Sequence, residues 1–208
     1  MCEHALTPHT QKDTDMDFHK LVLNARTCRR FKGDSPVTHD QLVALVDAAR
    51  LVPCGKNAQP LRYAVVSAPQ KNAEIFPNLL WAAALKDWDG PIEAERPTGY
   101  IVIGTDVEVN DNPQVDLGIA MQTIQLMATH MGLACCMLAS IKANNIHQIV
   151  AFPEKIKVLI VLALGVPVEV RDVVPADPNG TLTYYRTPDQ VHHVPKHNLE
   201  TVLLKSYK

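Results

Sequence analysis

Residues 51–63 read LVPCGKNAQPLRY: between Cys54 and Gln59, six positions hold a thiol, an ammonium and two carboxamides, with apolar residues on either side. Pro53 ends whatever helix precedes it, and Gly55 lets a backbone come close to a flat ligand. Asn57 and Gln59 each donate and accept, as a ring edge bearing carbonyls and nitrogens requires. Pro60 sets the entry to the next strand. The same stretch also reads as a turn whose amides satisfy their own backbone.

Working outward, "THDQLVALVDAARLV" places Leu42, Leu45, Val46 and Ala49 on one face behind a Thr38-x-x-Gln41 capping box, so a helix delivers the loop. Before it, Phe18, Leu21, Val22 and Ala25 predict a first helix ending near Arg26. After it, "RYAVVSA" is a strand pattern, "AEIFPNLLWAAALKDW" reads as helical on either side of Pro77, and "GYIVIGTD" is a second strand. Asn112 as N-cap and Pro113 at the first helical position open a helix that runs to Gly132, about 28 Å long at the usual rise. It is apolar nearly all round, yet Gln122, Thr123, Gln125, Thr129 and His130 make a membrane span untenable. "CCMLASI" and "VLIVLALGVP" follow as strands, with a short helix "NNIHQIVAF" between them. The end of the chain, "TLTYYRTPDQVHHVPKHNLETVLL", is extended and then helical, with little core of its own. The expected architecture is α+β: a mixed, mainly antiparallel central sheet between helical layers.

The 208 residues suffice for one domain, expected over 17–208 with a C-terminal arm from about 180, after a flexible tail at 1–16. A net charge of −2 offers no field for nucleic acid or an acidic membrane. Five cysteines without a C-x-x-C, behind a polar start lacking an apolar signal segment, point to free thiols in a reducing cytoplasm. His4 and His9 have no thiol or carboxylate framework for a metal, and His192 and His193, adjacent on an extended segment, face opposite ways. Cys135 and Cys136 sit on a buried strand and read as packing residues.

"ARTCRRF" sets Arg26 and Arg29 around Thr27 at the end of the first helix. Two planar forks of donors and a hydroxyl make an anion clamp suited to a phosphate monoester, although cations also suit a helix C-terminus for electrostatic reasons.

Together these stretches resemble the FMN-dependent nitroreductase family. Its R-S-x-R-x-F motif is similar to Arg26-Thr27-Cys28-Arg29-Arg30-Phe31, and its P-S-x-x-N-x-Q-P-W motif to Pro53 through Leu61. Its D-x-G-x-A central helix ending in G-L resembles "VDLGIAMQTIQLMATHMGL", and its strand ending a-l-G-y-P resembles "VLALGVP". The resemblance, covering about 17 to 204, implies a nitroreductase-like three-layer fold and an intertwined homodimer with FMN at the subunit interface. It implies that Arg26, Thr27 and Lys196 hold the FMN phosphate, with Arg186 a further candidate, and that Arg29 lies toward the N1/C2 edge. Pro53, Cys54, Gly55 and Asn57 would come from the other subunit, and the backbone at Ala139 and Ser140 would cover N5. It further implies NAD(P)H as transient donor, flavin N5 rather than a side chain as the reacting centre, and a nitroaromatic, quinone or similar small-molecule acceptor. Reductive dehalogenation, consumption of the flavin, or FMN binding without turnover are alternatives within the same likeness. Cys54 replaces the usual Ser, Leu61 the usual aromatic and Ala25 a frequent Arg; the first is either a steric substitute or a redox-active thiol.

Overall fold

The computed structural model describes residues 17–208 apart from 83, 84, 86, 87 and 178. The tail expected at 1–16, with His4 and His9, and the middle of "WAAALKDW" lie outside the described residues.

Two long apolar runs form the centre. β2 (Gly99–Asp106) is buried at every position, and β4 (Ile156–Gly165) at all but two, which is how strands covered on both faces read. They pair antiparallel and are flanked by β1 (Leu61–Val66) and β3 (Ala134–Leu138), giving the antiparallel order β1-β2-β4-β3. Against one face pack α2 (His39–Arg50) and α4 (Gln114–His130), so that Leu42, Leu45, Ile124 and Ala128 meet Ile101, Ile103, Cys135 and Leu162. Against the other pack α3 (Pro69–Ile75) and α5 (Ala143–Val150), with Ile75 and Ile146 meeting Tyr100, Val102, Cys136 and Val161. The three layers follow from this alternation. A bulge between Ile103 and Gly104 shifts the register and puts Val158 on the opposite face from Ile160.

The capping box of α2 forms as its sequence requires, with Thr38 accepting from the Gln41 N–H and the Gln41 side chain accepting from the Thr38 N–H. Gly132, at φ 76°, closes α4 in the left-handed conformation that glycine adopts without strain. Gly165 answers a packing need, because a Cβ there would sit 2.8 Å from Cβ of the buried Phe31.

Three elements differ from expectation. The helix after Phe76 does not continue past one 3₁₀ turn, because Leu79 leaves it to bridge Ile141. Pro113 is the N-cap of α4, one residue later than Asn112, and the helix is about 26 Å long over its 17 residues. "RDVVP" is a strand, β5 (Arg171–Pro175), lying parallel to β7 (His192–Lys196), with β6 (Tyr185–Arg186) antiparallel on its other side. This second sheet carries the only parallel pair among the described strands, and α6 (Leu199–Val202) follows it.

Apolar residues stay uncovered on α1 (Phe18–Asn24), on α4 and at the end of the chain, among other places. On α1 no residue is fully buried, and on α4 Val115 is 76% exposed beside the open Gly118. At the end of the chain Leu199, Val202, Leu203, Leu204 and Tyr207 all face out.

Candidate functional site

α1 stops at Asn24, so the next residues run extended under the second sheet and carry their side chains into a cavity of about 290 Å³. Arg26, Thr27 and Arg29 line it from one side, and Tyr184, His192, Val194 and Lys196 from the other. Gln122 and Gln125 reach it from α4. Three cations thus converge, and no carboxylate lines the cavity among the described residues. Arg26 is under electrostatic pressure: burial and the neighbouring Arg171 guanidinium press it below the usual arginine value. One of its N–H groups donates to the Val22 carbonyl at 2.7 Å, the helix-terminal contact that a cation in this position also favours, and its Nε is buried without a partner. An anion in the cavity relieves the repulsion, so the donor set fits a phosphate group.

The carboxylate nearest the clamp is held elsewhere. Glu169, with a fully buried side chain, accepts the backbone N–H of Arg29 at 2.9 Å through one oxygen and the Arg186 guanidinium at 2.6 Å through the other. This places Arg186 away from the expected phosphate role: its charge is matched by Glu169, it lies over the Trp88 ring at 5.0 Å, and it does not line the cavity. Arg30 likewise turns away, in a bidentate pair with Glu95 at 2.6 and 2.7 Å.

The 53–59 loop is held by α4. Asp116, nearly buried, accepts the Gly55 N–H at 2.9 Å, which is the task of the aspartate in the central helix's D-x-G pattern. Pro53, Cys54 and Asp116 line a separate cavity of about 120 Å³ with Arg50, Arg62 and Tyr63. Gly55 and Asn57 do not line it; Gln59 does, and turns its carboxamide to the Asn57 side chain at 3.1 Å. Within this chain the amides therefore satisfy one another. Lys56, Asn57 and Gln59 all have φ near 50°, on either side of a right-handed Ala58, and positive φ costs non-glycine residues energy. Cys54 behaves as a serine would, its sulfur accepting the Gln59 N–H at 3.2 Å. Cys28 and Cys136 are buried thiols that desolvation pushes up to about 11 and about 12, inert packing groups at neutral pH.

Ala139 and Ser140 are exposed at the end of β3, where the Ser140 carbonyl accepts the Leu80 N–H at 3.0 Å. They line neither cavity. The residues to which the sequence alone gave no place in the site are Asp116, Gln122, Gln125, Glu169, Tyr184 and His192 in its clamp position. Gln122 and Gln125 were visible as polar residues in an apolar helix; the others depend on pairing between distant segments.

No curated protein sequence matches the chain significantly. Solved structures match its fold: a nitroreductase family protein from Clostridium novyi NT at 23% identity and TM-score 0.61, covering 73% of this chain and 87% of that one. An FMN-dependent nitroreductase from Clostridium difficile R20291 matches at 24% and 0.59, covering 73% and 88%. A nitroreductase family protein from Streptococcus pneumoniae TIGR4 reaches 15% and 0.62, covering 83% and 96%. The sequence itself carries the assignment, since the model of the nitroreductase family matches residues 22–166, from α1 through β4 and the Gly165 that seats Phe31. The chain belongs to the nitroreductase family.

Proposed function

We propose that the protein is an FMN-dependent oxidoreductase that passes hydride equivalents from NAD(P)H to a nitroaromatic, quinone or similar acceptor. The observation that carries this reading is the cavity in which Arg26, Thr27, Arg29 and Lys196 meet without a carboxylate among the described lining residues. Arg26, Thr27 and Lys196 would hold the phosphate, and Arg29 would lie toward the N1/C2 edge. FMN, when bound, supplies the hydride-accepting N5 and returns the electrons to the acceptor. The chain's own groups orient it and favour negative charge beside Arg29.

The active unit of this reading is a homodimer. Pro53, Cys54, Gly55 and Asn57, which make no contact with the clamp cavity in one chain, would face a flavin held by the other, and the Ala139–Ser140 backbone would cover N5. Val115, the α1 face and the C-terminal Leu203, Leu204 and Tyr207 supply apolar surface that a second copy would cover. No described helix is long and apolar enough to cross a membrane, and Cys28, Cys54, Cys135 and Cys136 are free, which agrees with work in a reducing cytoplasm.

The test is a visible spectrum of the purified protein before and after FMN is added and the excess removed, then NADH or NADPH under anaerobic conditions. Retained flavin that bleaches supports the oxidoreductase; retained flavin that stays yellow with both donors supports a binding protein; no retained flavin overturns the reading.

A further inference from the structure

Seven polar or charged residues are buried among the described residues, and six of them meet a partner for the side chain. Asn78 bonds Glu74 and Asn145, Thr105 bonds Asn110, and Asp106 faces Lys155. Asp116 accepts from Gly55, Glu169 from Arg29 and Arg186, and His192 lies against Arg29. Gln125 is the seventh. It is 7% exposed, and its carboxamide makes no hydrogen bond to any described residue. Its helix neighbours find local partners: Thr123 and Thr129 turn their hydroxyls back to carbonyls one turn earlier at 2.9 and 2.8 Å, the second being that of Gln125 itself. Gln125 instead lines the clamp cavity. Gln122, one turn earlier on α4, lines it too, but it is exposed and solvent serves its amide. A buried carboxamide without a partner is costly, so its partner has to arrive with whatever fills the cavity.

The chemistry of the lining says what that partner is. Arg26, Arg29 and Lys196 offer only donors, so they can serve Gln125 Oε1 but not the N–H groups of Nε2. A phosphate oxygen would accept from Nε2 and give nothing to Oε1. A hydroxyl donates and accepts, as a carboxamide does. In FMN the ribityl chain, which carries hydroxyls, joins the phosphate to the ring. The residues given to the phosphate and Arg29, given to the N1/C2 edge, line one cavity with Gln125, so the chain between those two ends passes through it. We propose that Gln125 binds the ribityl hydroxyls and makes the site selective for a flavin whose chain carries them, an inference that rests on the FMN reading of the cavity.

The experiment titrates flavins into flavin-stripped full-length protein and its Gln125→Leu variant, following flavin fluorescence. The probes are FMN, riboflavin as the form without phosphate, and a flavin phosphate with a plain pentyl chain in place of ribityl. Gln125→Leu is expected to weaken FMN and riboflavin alike by about fivefold to fiftyfold, the loss of one or two neutral hydrogen bonds. The pentyl analogue, which has no hydroxyl to lose, should bind parent and variant within about twofold of each other. A merely structural role would weaken all three flavins equally, and that result overturns the proposal. A loss confined to FMN moves Gln125 to the phosphate and overturns it too, as does undiminished FMN binding. Gln125→Met, which keeps the length of the side chain, decides if Gln125→Leu does not fold. A parent that binds no FMN overturns the site reading itself, whereas a parent that binds FMN and the pentyl analogue equally well overturns only the role of Gln125.

Discussion

The anion clamp and the 53–59 loop are built in contrasting ways. The clamp is assembled within one chain: segments more than 160 residues apart, at Arg29 and His192, meet there and leave a cation-lined cavity. The loop is braced by Asp116 but its carboxamides turn to each other, at positive φ values that are costly for Lys56, Asn57 and Gln59. The clamp thus closes within one chain, while the loop faces outward. In the proposed homodimer a shared ligand would meet the clamp of one copy and the loop of the other.

The sharpest way to break the comparison is to remove the clamp. Arg26→Ala with Arg29→Ala deletes two charge-assisted contacts, and FMN retention should fall by about 3–6 kcal/mol, roughly a hundredfold to ten-thousandfold in Kd. Equilibrium dialysis checks this, and parent-like affinity would return both arginines to a structural role. Next is the dependence of the clamp on a second copy. Val115→Asp places a charge on the exposed face of α4, outside either cavity, and should cost about 3 kcal/mol or more of association if that face is covered. Analytical ultracentrifugation would show a monomer, and FMN retention should drop although every clamp residue is intact. A flavin-loaded monomer would mean that one chain suffices.

These tests concern features with unequal traces in the sequence. The α2 capping box was legible because Thr38 and Gln41 lie within one turn, and β2 and β4 because burial on both faces leaves continuous apolar runs. β5 was not, since "RDVVP" is a strand only through parallel pairing with His192–Lys196. The helix expected after Pro77 breaks at its described start for a similar reason, as Leu79 pairs with Ile141 across the fold. In the site, Arg26, Thr27, Arg29 and Lys196 could be named from motif positions. That Arg186 would be claimed by Glu169, and that His192 rather than His193 faces the cavity, depends on the register of β6 on β7. Residue type identifies a donor, but only the register decides what it faces.

A smaller effect sharpens the loop side. Asp116→Ala leaves the Gly55 N–H without its acceptor in a part-buried place, which should cost about 1–3 kcal/mol in chemical denaturation. Flavin affinity should fall with it if the loop touches the ligand, whereas a loss of stability alone would make Asp116 a brace and nothing more.

The smallest effect separates Arg30 from its neighbour. Arg29 and Arg30 are indistinguishable by type, yet Arg30 lies in a pair with Glu95 whose side chains are 20% and 21% exposed. The Arg30 hydrogen bond holds the Glu95 carboxyl below its ordinary value. A carboxyl with a depressed folded pKa stabilises the protein above its unfolded value, near 4.3, and the contribution disappears as pH falls through the folded value. Glu95→Gln should therefore cost about 0.5–1 kcal/mol at pH 7, and parent and variant should converge once pH has fallen below the depressed folded value. Because Arg30 keeps Gln190 at 3.0 Å as a partner and lies outside the clamp cavity, FMN affinity should stay within twofold or so of the parent. Thermal melts from pH 7 down through the acid range, beside one FMN titration, decide it. A stability gap unchanged by pH would remove the ion pair as its source, and a fall in FMN affinity would draw Arg30 into the clamp and erase the distinction between the two arginines.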